Sequence, residues 1–170
     1  MDILKTIRDG DIGSGTPAPE SFKERKASRA IVFDVDNNVA LLHATKKNYH
    51  KLPGGGIEEG EDIHETLRRE TLEEIGCDVK NIRDLGIIEE YRNGFSLHQV
   101  SYCFIADLSG EKGANHLEDD EIADGFEPVW LNLQSAIEVL EGEDSIENYE
   151  GKFIRLRDLT FLRAAKELIA

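Results

Sequence analysis

The sequence predicts an α/β fold, a mixed β-sheet covered by helices. Short runs of β-forming residues alternate with helical patterns along the chain. Its 170 residues are the usual length of one domain. The composition, 39% apolar and 32% charged with four Pro against fifteen Gly, is that of a chain with a core rather than of a disordered or fibrous one. Residues 1–27 read as a lead-in segment and 28–170 as a single domain. Gly10, Gly13, Gly15, Pro17 and Pro19 leave residues 9–28 without periodicity, so regular structure is expected to begin near Ser28.

Taken in order, Ala30–Phe33 and Val39–Leu42 are rich in β-formers and flank the turn signal Asp36-Asn37-Asn38, which predicts a hairpin. Pro53-Gly54-Gly55-Gly56 then breaks any regular element. Residues 62–75 read as a helix. Asp62 is its N-cap, Glu65 the capping-box partner and Gly76 the C-terminal stop, with Ile63, Leu67, Thr71 and Ile75 as the buried row. Two strands, 79–91 and 95–107, surround Arg92-Asn93-Gly94, whose Asn-Gly is a hairpin turn. An acidic loop, 116–124, precedes a strand at 127–131, where Trp130 is expected in the core. Helices follow at 133–141 and 152–169, the latter carrying an apolar stripe, Phe153, Leu156, Leu159, Leu162, Ala165 and Leu168.

Charge and composition exclude several classes of function. Twenty Lys+Arg against thirty-five Asp+Glu give −15, and no dense basic patch is available to release the counterions of a nucleic-acid polymer. A small phosphate-bearing ligand is still admitted, because divalent cations bridge carboxylates to phosphates. No apolar run approaches a membrane span, and the N-terminus lacks a signal-peptide pattern. Cys77 and Cys103 form no CxxC pair, which favours a reducing, cytoplasmic setting. His43, His50, His64, His98 and His116 show no ligand spacing.

The chemistry concentrates in one stretch. Glu70, Glu73 and Glu74 lie at i, i+3 and i+4, so one helix face carries three like charges. They also sit in the C-terminal half, where the helix dipole disfavours anions. Bound Mg²⁺ or Mn²⁺ would reverse both penalties, since hard cations prefer carboxylate oxygens. Taken alone, the cluster reads more readily as a solvated acidic face. The surrounding pattern argues for the metal. Gly55, Glu61, Arg69, Glu70, Glu73, Glu74 and Gly76 stand at fixed offsets. At background frequencies of about 7% each, seven such matches arise by chance at roughly one in 10⁸.

This pattern resembles the Nudix box, GX5EX7REUXEEXGU, over Gly55–Cys77, with Thr71 and Cys77 in place of the two aliphatic U residues. The resemblance implies a Nudix-type α/β/α sandwich with a central mixed sheet. It also implies an Mg²⁺-dependent hydrolase (Mn²⁺ as the alternative ion) that cleaves a pyrophosphate bond in a nucleoside diphosphate linked to another moiety. The implied metal ligands are Glu70, Glu73, Glu74 and the backbone of Gly54. Glu70, Glu73 and Arg69 are implied in catalysis. The general base is either a box glutamate or a later loop carboxylate, for which Glu121 is the favoured residue here. Gly55, Gly56 and Glu61 would support substrate, with Tyr49 and Phe95 as stacking surfaces and Asn148 as a base reader. Each aromatic also reads as plain core. Thr71 is expected to bond back to the carbonyl at i−4.

The motifs of the ADP-ribose, dinucleotide, coenzyme A and NADH subclasses are not recognisable. The default expectation is therefore a nucleoside triphosphate or modified nucleotide, with a nucleotide sugar as a further possibility. The alternative is a non-catalytic nucleotide-binding sensor of the same fold; such modules usually lose the box glutamates, which are intact here. Partners are expected to be the small-molecule substrate alone, with no nucleic-acid polymer and no membrane, in a monomer or homodimer.

Overall fold

The computed structural model describes residues 1–169. Its elements in chain order are β1 (Ile3–Arg8), β2 (Lys23–Phe33), β3 (Asn38–Ala44), β4 (Tyr49–Lys51), α1 (Ile63–Ile75), β5 (Asp78–Arg92), β6 (Leu97–Ser109), α2 (Asp119–Asp124), β7 (Phe126–Asn132), α3 (Leu133–Gly142) and α4 (Tyr149–Ile169). The seven strands form one mixed sheet in the order β1-β5-β6-β2-β3-β4, with β7 paired to β3. β5 and β6 are antiparallel; β1 runs parallel to β5, and β2 parallel to β6 from Lys23↔Leu97 to Phe33↔Asp107.

Each face of the sheet is buried under helices. One core cluster packs Ile31, Leu41, Ile88 and Cys103 against Leu140, Phe153, Phe161 and Leu162 of α3 and α4. The other packs Ala30, Val32, Leu42 and Phe104 against Leu67 and Ile75 of α1. This is the expected α/β fold with a helical layer on both sides. No helix among the described residues is long and apolar enough to cross a membrane.

Five local expectations are corrected. Regular structure begins at Ile3, not near Ser28. β1 is an edge strand with Ile7 fully buried, and Lys23–Ala27 already belong to β2. Asp9 is also buried, accepting hydrogen bonds from the Tyr149 hydroxyl (2.9 Å) and the Asn93 amide (2.9 Å). The lead-in segment therefore supplies sheet and core, a role hidden by its glycines and prolines.

The hairpin of β2 and β3 shrinks to one pair, Phe33↔Val39. The tight turn forms, with Asp34 Oδ1 accepting from Asp36 N (3.0 Å) and Asn38 N (2.8 Å). Beyond it, however, the glycine segment occupies the β2 edge. Ala30 N donates to the Pro53 carbonyl (3.0 Å), Ser28 N to that of Gly55 (3.0 Å), and Ile57 N to that of Lys26 (3.0 Å). β3 diverges to pair with β4 and β7 instead.

The Asn-Gly turn is a longer one, Asn93–Ser96, because Asn93 and Gly94 are tied to Asp9, Thr16 and Tyr149. Within the acidic loop, residues 119–124 close into the short helix α2. α4 starts three residues early and its stripe drifts. Phe153, Leu159, Leu162 and Ala165 are buried but Leu168 is 60% exposed, because a three-residue step slips against a 3.6-residue turn.

Candidate active site

α1 forms where its capping residues dictate. Asp62 accepts from His64 N (2.7 Å) and Glu65 N (2.9 Å), Glu65 returns the bond to Asp62 N (2.8 Å), and Gly76 closes the helix at φ 68. Leu67, Thr71 and Ile75 face the core, and the Thr71 hydroxyl donates to the Leu67 carbonyl (3.0 Å). The i−4 bond satisfies the hydroxyl on the buried row, so Thr71 and the buried Cys77 fill the two aliphatic positions without an orphaned polar group.

That packing turns the glutamates toward the glycine segment. Gly55 lies against Glu70 so closely that a Cβ there would stand 2.2 Å from Glu70 Oε1. Gly54, at φ 132, would place a Cβ 2.1 Å from the Ser28 carbonyl oxygen, so only glycine fits. Gly54 N donates to Glu74 Oε2 (2.5 Å), and the Gly54 carbonyl accepts from the Arg29 guanidinium.

Arg69 sits at the centre of a charge network. Its guanidinium grips Glu61 in bidentate fashion (2.7 and 3.0 Å) and also donates to Glu70 (2.8 Å), Glu73 (3.2 Å) and the Gly56 carbonyl (3.1 Å). The Arg69 bond holds the Glu61 carboxyl well below the usual range, at about 2, with Thr66 adding to the effect. Glu61 therefore stabilises the fold fully above its ordinary 4.5, and that contribution is lost as pH falls toward 2. Glu61→Gln is expected to cost about 1 kcal/mol at neutral pH after solvent screening of this partly exposed pair. Urea melts should show the difference from the parent shrinking to nothing as pH falls toward 2; a pH-independent difference would assign the loss to packing.

Glu70 and Glu74 behave differently. Glu74 is 1% exposed, and burial pushes its carboxyl up to about 8. Lys51 opposes that rise, while Glu70 and Glu121 add to it. Burial also raises Glu70, against the pull of Arg69 and Arg29. Lys51 Nζ lies 2.9 Å from Glu74 Oε1. Among the described residues no three His, Cys, Asp or Glu side chains converge as a ready ligand set, because Lys51 holds Glu74 while Arg69 holds Glu70 and Glu73. The donors still fit a hard dication. All are carboxylate oxygens, two are buried at a cost that positive charge relieves, and the missing Cβ of Gly55 lets the Glu70 carboxylate lie against the glycine segment.

These groups border a cleft of about 400 Å³. Gly54–Gly56 and Glu70 form one side and α2 contributes Glu121. Arg25, Arg29, Lys47, Lys51 and Arg157 bring positive charge, and Tyr49 and Phe126 line it as well. Arg25 donates to Gln99 Oε1 (3.0 Å) and Arg29 to the Gly54 carbonyl, both neutral acceptors. Arg29 is 5% exposed with its Nε unpartnered, and burial lowers it to about 10 with Arg157 nearby.

Of the residues singled out from sequence, Gly54, Gly55, Gly56, Glu70, Glu121 and Tyr49 line the cleft, and Arg69, Glu61, Glu73 and Glu74 adjoin it. Tyr49 is buried, which pushes its hydroxyl up to about 12. Phe95 and Asn148 stand elsewhere. Phe95 packs edge-on against Tyr149 with centroids 5.2 Å apart, and Asn148 accepts from Gly151 N (2.7 Å) in the first turn of α4. The basic residues escaped the sequence reading. The period-2 run Arg25, Ala27, Arg29, Ile31 carries their signal once the strand is extended back to Lys23.

The comparisons agree with this geometry. A NUDIX domain model matches residues 23–155. Diphosphoinositol polyphosphate phosphohydrolase 3-alpha of Mus musculus is 30% identical over 126 residues, 72% of each chain. The solved structure of a mutator MutT protein from Bacillus halodurans is 27% identical with a TM-score of 0.54, covering 71% of this chain and 77% of that one. An ADP compounds hydrolase shares the fold, with a TM-score of 0.63 at 19% identity over 87% of this chain and 74% of that one. With the box intact on a capped helix and the family model spanning most of the chain, this protein belongs to the NUDIX family.

Proposed function

We propose that this chain is a divalent-metal-dependent pyrophosphohydrolase acting on a small substrate that bears a diphosphate and at least one further phosphate. One observation carries the reading. A single cleft brings Glu70, beside the buried Glu74, together with Arg25 and Arg29, two guanidiniums whose hydrogen bonds go to neutral acceptors. Arg29 is buried, and a buried cation without an anionic partner is costly; a phosphate oxygen supplies what it lacks, with the exposed Arg25 beside it at the cleft mouth.

In this reading Glu70, Glu73 and Glu74 hold the cation, with the second lone pair of the Gly54 carbonyl available to it. The bound ion supplies charge neutralisation, polarisation of phosphorus and a more acidic water. Arg69 fixes Glu70 and Glu73 and is itself fixed by Glu61. Arg25 and Arg29 bind and orient the phosphates. Glu121, on α2 beside Glu74, is the favoured carboxylate to take the proton of the attacking water.

Two substrate classes meet the phosphate requirement. Nucleoside triphosphates are the expectation from sequence. Diphosphoinositol polyphosphates are favoured by the curated relative and by a lining in which the aromatic surfaces are engaged: Tyr49 is buried and Lys51 covers Phe126 at 4.5 Å. Nucleotide sugars, with two phosphates, rank behind both.

The test is a hydrolysis screen with and without Mg²⁺ across nucleoside triphosphates, oxidised nucleotides, nucleotide sugars, dinucleotides and diphosphoinositol polyphosphates. Activity is expected only with the metal and on substrates carrying three or more phosphates. For the best of them Arg29→Met is expected to raise KM by about tenfold or more, the worth of one charge-assisted phosphate contact. Unaltered KM, or a preference for nucleotide sugars, would remove the role given to the basic wall.

A further inference from the structure

We infer that Lys51 is a built-in counter-cation of the carboxylate site, one that a divalent ion must displace from Glu74, so that this side chain sets the affinity for the metal. The inference rests on reading the cleft as a divalent-cation site, and it assigns a role to a residue that lies outside the box.

Lys51 ends β4 and reaches across to the C-terminal half of α1. Its ammonium stands 2.9 Å from Glu74 Oε1, while Glu74 Oε2 accepts the Gly54 amide at 2.5 Å. Both oxygens of this 1% exposed carboxylate are therefore engaged. Nearby stand two anions, Glu70 on the same helix and Glu121 from α2, and one further cation, Arg29, whose hydrogen bond goes to the Gly54 carbonyl rather than to Glu74. Arg69 is committed to Glu61, Glu70 and Glu73. Lys51 is thus the cation in direct contact with Glu74.

A dication cannot share that carboxylate with an ammonium at contact distance without strong like-charge repulsion in a partly dehydrated site. Metal uptake must therefore move Lys51 off Glu74. It already makes a second contact that does not depend on Glu74. The same ammonium lies 4.5 Å from the centroid of Phe126, over the ring, and Lys51 and Phe126 both line the cleft. This cation–π contact, made alongside the ion pair, is the one Lys51 keeps at the cleft wall as it leaves Glu74. There it faces the phosphates of a substrate rather than bulk water. The cost of separating Lys51 from Glu74 is subtracted from the intrinsic affinity for the metal.

The test uses the full metal-free chain and Mn²⁺ alone, with no substrate, reading free Mn²⁺ by electron paramagnetic resonance. Lys51→Met and Lys51→Gln are both titrated, each checked for folding by circular dichroism, beside Lys51→Arg and Glu74→Gln. Removing the competing charge is expected to tighten Mn²⁺ binding about tenfold in the Met and Gln variants, while Arg stays near the parent. Glu74→Gln is expected to weaken binding by more than about tenfold, the loss of a charged ligand. If Glu74→Gln weakens binding but the Met and Gln variants bind as the parent does or more weakly, the inference fails and the metal site stands. If Glu74→Gln binds Mn²⁺ as the parent does, the metal reading of Glu74 falls, and the role of Lys51 with it.

Discussion

Glu74→Gln is expected to lower kcat by about a thousandfold or more, on the scale of losing an anionic metal ligand in a metal-assisted hydrolysis. It should leave the metal-free melting temperature close to the parent value or above it. The two halves of this result have one cause. Glu74 is almost fully buried, and its carboxyl is pushed up to about 8 from an ordinary 4.5. A carboxyl raised in this way stabilises the fold while it stays protonated, and that contribution is lost as pH climbs through about 8. In chelator, the parent protein should therefore lose stability between pH 5 and pH 8, and Glu74→Gln should not. The glutamine carbonyl still accepts from Gly54 N, while Lys51, with 12% of its side chain exposed and the Phe126 ring beside it, can turn to the cleft. Differential scanning fluorimetry over that pH range, paired with turnover at saturating Mg²⁺, reads both effects. A variant with parental turnover, or one that melts far below the parent at pH 8, would contradict the assignment.

Asp158→Ala has the largest expected effect on stability. Asp158 is fully buried. It accepts from Arg157 (2.7 and 3.2 Å) and from Leu52 N (2.8 Å), the amide just before Pro53 and the glycine segment. Burial works against the charge on Arg157, but Asp158 and Glu90 outweigh it and hold this guanidinium above its ordinary range. Glu90 in turn accepts from Arg92 (2.9 Å), which reaches Glu150 (3.2 Å). Alanine would leave the buried Arg157 with only its longer contact to Glu90 (3.4 Å) and orphan a buried amide, a loss of about 3–5 kcal/mol. For a domain of this size that is a fall in melting temperature on the order of 10 °C. Activity should drop as well, because the chain leading into Gly54–Gly56 loses its anchor to α4. Asp158→Asn keeps an acceptor for Leu52 N and should lose less. The double variant Arg157→Met/Asp158→Leu, which removes both charges, should also lose less than Asp158→Ala, since an apolar pair of similar volume is tolerated where a lone charge is not. Urea denaturation of the three variants gives the order; a double variant as unstable as Asp158→Ala would show that the cost lies in shape rather than charge.

Local signals made much of this molecule readable from its residues. α1 starts at its capping box and stops at Gly76 because those groups bond within a few residues of themselves. The capped frame also fixes the facing of Glu70, Glu73 and Glu74, and their identity, with Arg69 and Glu61, sufficed to indicate the family. What remained hidden depended on partners distant in sequence. The pairing of β1 with β5 cannot be seen in six residues at the N-terminus. The short β2–β3 pairing follows from the glycine segment taking the β2 edge, a competition that neither strand encodes alone.

The sequence by itself determined the α/β class and the acid-bearing helix, because capping, turn chemistry and helical period act over a few residues. Tertiary structure alone decided which charges face one another. It set Arg25 and Arg29 of β2 and Lys51 of β4 around carboxylates from α1, and it placed Arg157 between Asp158 and Glu90 in the core. A protein whose charge is −15 overall thereby holds a cleft in which five cationic side chains, Arg25, Arg29, Lys47, Lys51 and Arg157, stand among six carboxylates. Net charge counts residues, whereas the field in a cleft depends on which few of them the fold brings within several ångströms.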